Sequence, residues 1–134
     1  MTSTFLLDAN VLIALAEVQH TEHHRATHWL MQVTAFATCP ITEGALVRFF
    51  LHSRTIKEAK HLLTRIHQDP RHLFWPDTVS YTQLPEQGIV GHRQVTVAYL
   101  VALAAHHSGS LATMDRGLAQ LHGRAVHFLP LLRS

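Results

Sequence analysis

A single cysteine, Cys39, occurs among the 134 residues, which excludes an intramolecular disulfide and fits a reducing compartment. Long apolar runs are missing too. The longest, FLLDANVLIALA, is interrupted by Asp8 and Asn10, whereas a bilayer span needs about 20 consecutive apolar residues. No basic segment precedes a small-residue cleavage site, so no secretory signal is expected. Charge is sparse, at 15% of residues, with 11 Lys and Arg against 9 Asp and Glu. These charges are dispersed, which excludes a charged tail. Repeats, low-complexity tracts and linkers are absent as well. What remains is one soluble cytoplasmic domain covering residues 1–134, with no membrane partner.

What is present is mostly apolar. Hydrophobic residues make up 47% of the chain, as in a compact fold, and a chain of this length buries roughly two thirds of its unfolded surface. Thirteen histidines add positive charge in mild acid, since free imidazole titrates at about pH 6.5. The modest basic balance permits a nucleic-acid partner.

Thr4 to Leu7 is a short apolar run ending at Asp8, the pattern of a buried parallel strand. Asn10 is placed to cap a helix running to about Val18, and a second helix is expected from His23 to Val33. Ala35–Thr38 reads as a strand, and Pro40 suits the first turn of a helix carrying Glu43, Leu46, Val47 and Phe50. Ile56–Ile66 gives a fourth helix, and Leu73–Trp75 a short strand. Residues 76–94 are rich in turn formers, and no element is assigned there. Val97–His107 shows a helical stripe with Gly109 as its C-cap. Ser110–Thr113 and Val126–Leu129 read as strands. Strands alternating with helices predict an α/β fold with a parallel sheet.

In such sheets the functional crevice lies beyond the carboxyl ends of the strands. Asp8 ends the first strand, Glu43 opens the helix after the second, and Asp115 follows Ser110–Thr113. The topology therefore brings three acids to one edge. Hard cations such as Mg²⁺ need oxygen ligands of this type, and such a cluster supports metal-assisted phosphodiester hydrolysis. Asp8 is hard to explain structurally, because an unpaired buried carboxylate is costly. Glu43 and Asp115 have simpler readings, as a helix N-terminal acid and as a turn or cap residue.

Taken together, TFLLDANVLIALA, PITEGALVRFF and SLATMDRGL resemble the PIN-domain family, and more narrowly its VapC-type ribonuclease toxins. The likeness covers nearly the whole chain in length, order and spacing. It implies a three-layer fold, a short parallel sheet flanked by helices. It also implies an endoribonuclease toxin of a toxin–antitoxin pair, with Mg²⁺ or Mn²⁺ held by four acids. Asp8, Glu43 and Asp115 match three of those catalytic, metal-holding positions, and Asn10 and Thr113 match polar residues supporting them. The implied partners are an RNA substrate, a cognate VapB-type antitoxin and a second copy of the chain.

The fourth acid is missing. Where the family commonly carries an aspartate within a pattern like Thr-Asp-Ala-Tyr-Leu, this chain reads Thr96-Val97-Ala98-Tyr99-Leu100. Val97 thus implies an impaired or inactive enzyme. A valine nearly isosteric with aspartate, between undrifted flanks, fits an engineered replacement better than natural loss, and both origins stay open.

His92, Arg93 and Arg116 are candidate RNA contacts, with an ordinary polar loop as the alternative. Trp75 offers base stacking or, in the simpler reading, core packing; Asp77 is not promoted to a metal ligand. His20, His24 and His28 recur at helical spacing, but without cysteine partners they read as solvated surface histidines rather than a zinc site. Apolar excess on the first helices and around Phe49–Phe50 marks an interface. Two rivals remain. One is a non-catalytic module of the same fold that binds RNA or an antitoxin. The other is a phospho-receiver, disfavoured because the only lysines, Lys57 and Lys60, lie in a helix.

Overall fold

The computed structural model describes residues 3–132, apart from the side chain of Arg93. Five short strands, β1 (Phe5–Leu7), β2 (Phe36–Thr38), β3 (His72–Phe74), β4 (Ser110–Thr113) and β5 (Val126–Phe128), form one sheet in the order β3-β2-β1-β4-β5. Every pairing is parallel. Among the described residues six α-helices connect them: α1 (Ala9–Ala16), α2 (His23–Leu30), α3 (Pro40–Phe50), α4 (Ile56–His67), α5 (Val95–His106) and α6 (Arg116–His122). This is the α/β architecture that the alternation predicts. No helix among the described residues is long and apolar enough to cross a membrane.

Side chains alternate across the pleat, so adjacent strand residues feed different cores. Leu7, Phe36 and Ala112 join a core completed by α1 to α4, with Val11, Leu12, Trp29, Leu46 and Phe50. Leu6, Ala37 and Leu111 join a second core under α5, with Tyr99, Leu100, Leu103 and Trp75. Both faces of the sheet are therefore covered, which is why its strands read as unbroken apolar runs rather than alternating ones.

Several local expectations change. Asp8, not Asn10, is the N-cap of α1, its side chain accepting from the amide of Ala9. The helix ends at Ala16, and α2 ends at Leu30, short of Val18 and Val33. The sequence pattern does not mark α6, which follows Asp115. Residues 76–94 hold only the single-turn 3₁₀ helices Tyr81–Gln83 and His92–Gln94. Gly109 is not a helix cap: α5 closes at His107, and Ser108 takes the left-handed turn at φ 59°. The glycine is needed for close approach, since a Cβ there would stand 2.3 Å from the carbonyl oxygen of Thr4.

Candidate active site

The strand order reverses between β1 and β4, because the chain builds outward from β1 to β3 and then crosses to β4 on the other side. A crevice opens at such a switch point beyond the carboxyl ends of the two strands. Asp8 follows β1 directly, and its amide extends the ladder by donating to the carbonyl of Ala112 at 2.9 Å. Asp115 lies two residues beyond β4 and caps α6, its Oδ1 accepting from the amide of Leu118 at 3.1 Å. Both acids thus cap helices, and both also stand at the switch point. Capping fixes one oxygen of each carboxylate.

Thr113, fully buried at the end of β4, joins them. Its hydroxyl donates to Asp8 Oδ2 at 2.8 Å, and accepts from Asn10 Nδ2 and from the amide of Asp115, each at 3.1 Å. One donor and two acceptors exhaust a hydroxyl's capacity. Asn10 closes the loop by accepting from the amide of Met114 at 3.2 Å. Asp8, Asn10, Thr113 and Asp115 are therefore one connected network spanning more than a hundred residues of chain.

Asp8 is only 9% exposed. Burial pushes its carboxyl above the usual carboxylate range, the hydroxyl of Thr113 and the amide of Ala9 pull it back, and the negative charge of Asp115 pushes it up again. Two acids repel each other here in a partly desolvated crevice, an arrangement that a cation would relieve.

Val97 lies in the first turn of α5, beside this crevice. It lines a cleft of about 390 Å³ with Gln94, Asp115, Leu118 and His122, and its inner side packs on the second core. It brings no oxygen to the cleft. Arg116 is exposed, its guanidinium lying over the Phe128 ring at 4.8 Å. His92 is exposed in its 3₁₀ turn; the side chain of Arg93 is outside the described residues.

Glu43 stands in the first turn of α3, after β2, with other partners. Its Oε2 accepts from the hydroxyl of Thr38 and from Nε2 of His67, each at 2.6 Å. Thr38 spends its proton on Glu43, so its 2.7 Å contact with Nε2 of His72 has the imidazole as donor. Burial lowers the pKa of His72, and the neighbouring imidazole of His67 lowers it further, with Glu43 and Asp69 opposing.

Glu43, His67 and His72 could hold a metal ion. Neither histidine stands out in the sequence. The available signal was their placement on either side of Asp69-Pro70, where a helix ends and a strand begins. The His20–His28 group behaves as surface residues: Nδ1 of His20 accepts from the amide of Glu22, and His28 pairs with Gln32. Trp75 is 6% exposed and stacks on His107 with centroids 4.2 Å apart, so its ring is core and not a platform for bases.

The family model described as "PIN domain" matches residues 5–123. Ribonuclease VapC29 of Mycobacterium tuberculosis is 50% identical over 129 residues, covering 95% of this chain and 97% of the relative. Among solved structures, FitAcB from Neisseria gonorrhoeae superposes with a TM-score of 0.62 at 25% identity, covering 91% of this chain and 95% of that one. A chain of FitAB bound to an IR36 DNA fragment superposes with a TM-score of 0.65 at 22% identity, covering 97% and 98%.

Proposed function

The chain belongs to the PIN-domain family, and from that premise we propose that it is a metal-dependent endoribonuclease toxin of a toxin–antitoxin pair, impaired at Val97. The observation that carries this reading is the Asp8–Thr113–Asp115 network at the switch point. The likeness to ribonuclease VapC29 supports an RNA substrate.

The donor set fits a hard divalent cation. It is all oxygen, and burial raises the Asp8 carboxyl with a smaller push from the charge of Asp115, a penalty that a bound cation would offset. Asp8, Asp115 and Glu43 would hold Mg²⁺ or Mn²⁺, which would offset charge on the scissile phosphate and activate water. The chain's own residues do the positioning. Thr113 and the amide of Ala9 fix both oxygens of Asp8, Asn10 locks Thr113, and the cap to Leu118 orients Asp115. Arg116, exposed beside Asp115, would meet RNA phosphates together with His92 and Arg93. Val97 leaves one side of the cleft without a ligand.

A VapB-type antitoxin is the proposed partner. The apolar groove lined by Leu12, Leu15, Val18, Leu30, Leu62 and Ile66 supports an apolar partner segment. A second copy of the chain is the other proposed partner, with Phe49 and Leu51 exposed for it. Val97 also favours a second reading, a non-catalytic module that binds RNA or an antitoxin.

The test is cleavage of a broad RNA pool in a Val97→Asp background. Cleavage should require Mg²⁺ or Mn²⁺, stop in EDTA, and fall at least about a hundredfold on adding Asp8→Asn or Asp115→Asn. Retention of RNA with no cleavage by any form would favour the binding module. Cleavage that persists in EDTA would overturn the metal assignment.

A further inference from the structure

We propose that His67, His72 and Glu43 form a transition-metal site that takes Zn²⁺, separate from the Asp8–Asp115 pair. Their ligand atoms lie within 4.8 Å of one another. A tetrahedral Zn²⁺ at about 2.0–2.1 Å from nitrogen or oxygen holds its ligands roughly 3.3–3.5 Å apart, so small side-chain adjustments admit the ion. Two imidazoles and one carboxylate are a donor set for borderline ions and leave further positions open to water. The oxygen-only Asp8–Asp115 edge has the opposite preference.

The site is built and held. The rings of His67 and His72 stack with centroids 4.5 Å apart, flanked by Phe74 against His67 and Phe36 against His72. The turn between the two histidines is clamped. Asp69 accepts from Nε and Nη2 of Arg71, while Nη1 of Arg71 ties that turn to the carbonyls of Leu30, the last residue of α2, and of Val33 beyond it. β3 beside β2 then sets His72 against Thr38, and Thr38 holds Glu43.

Without metal, both Nε2 atoms carry protons and feed the hydrogen-bonded chain that ends on Glu43. On binding, each imidazole holds its proton on Nδ1, and the Nε2 lone pairs and the carboxylate turn to the ion. His67 is 40% exposed at its side chain, which gives the ion a way in. Resting on the function proposed above, Zn²⁺ there would withhold Glu43 from the acidic edge and act as a brake on cleavage.

Binding is read directly, by titrating the full chain with Zn²⁺ in competition with a chromophoric chelator near neutral pH. The chain should take up one tightly held Zn²⁺. His67→Ala and His72→Ala should each weaken this by more than about tenfold, with circular dichroism confirming the fold. Asp8→Asn, and the double variant His24→Ala with His28→Ala, should leave it unchanged. Absence of binding, binding undiminished in both histidine variants, or its loss in Asp8→Asn would overturn the site. Because no RNA enters the assay, an inactive Val97→Asp enzyme would refute the proposed function and leave this site standing.

Discussion

Replacing Thr113 with valine isolates the network that positions Asp8. Valine keeps the shape of threonine and removes a hydroxyl making three hydrogen bonds in a fully buried position. The bond to the Asp8 carboxylate is charge-assisted and contributes about 1.5–3 kcal/mol. Asn10 and the amide of Asp115 are only partly buried and recover part of their loss from water. The expected destabilisation is about 2–3 kcal/mol, or a Tm lower by roughly 8–12 °C in a domain of this size. The deficit should depend on pH. Thr113 holds the Asp8 carboxyl down against burial, so its removal raises that folded-state pKa further. A carboxyl with a raised folded pKa costs nothing when protonated in both states and its full penalty once pH exceeds the folded pKa. The Tm gap between Thr113→Val and its parent should therefore be largest at neutral pH and shrink toward about pH 4. Thermal melts followed by circular dichroism across that range, in EDTA, test this. An unchanged Tm, or a gap independent of pH, would refute the charge-assisted role of the hydroxyl.

Other consequences follow from the same packing. Gly109→Ala should cost about 2 kcal/mol or more, because its methyl would meet the carbonyl of Thr4 at 2.3 Å; urea unfolding should show a midpoint shifted down with the slope unchanged. Val97→Asp should lower Tm in EDTA by adding a carboxylate to the cleft that Asp115 lines, since two acids about 4 Å apart repel by up to about 4 kcal/mol at an effective dielectric of about 20. That variant should also gain more from Mn²⁺ than its parent does, and equal metal shifts in both would contradict a ligand position at 97.

Much of the fold was legible because parallel strands buried on both faces leave unmistakable apolar runs, and because Pro40 and the α5 stripe mark helices plainly. The sequence marks Asp8 as too costly to be merely structural, yet it points to Asn10 as the N-cap of α1, a role that Asp8 fills. One carboxylate serves both ends, capping with Oδ1 and meeting Thr113 with Oδ2, and a sequence does not display that economy. Helix α6 leaves no clear signal because RGLAQLH is a single short stretch with a glycine and no buried residue. Gly109 advertises a turn, and only the spacing of β1 against β4 shows that it is there for the approach of Thr4. The triad of Glu43, His67 and His72 depends on β3 lying beside β2, which local spacing does not encode.

The most direct measurement is RNA cleavage with Mg²⁺ or Mn²⁺ by the chain as it stands beside its Val97→Asp form, on the same RNA pool. Cleavage by the substituted form, with little or none by the parent, is the predicted result and identifies Val97 as the lesion in a ribonuclease. Equal cleavage by both forms would contradict a ligand position at 97, and no cleavage by either would contradict the acidic centre as a catalytic one.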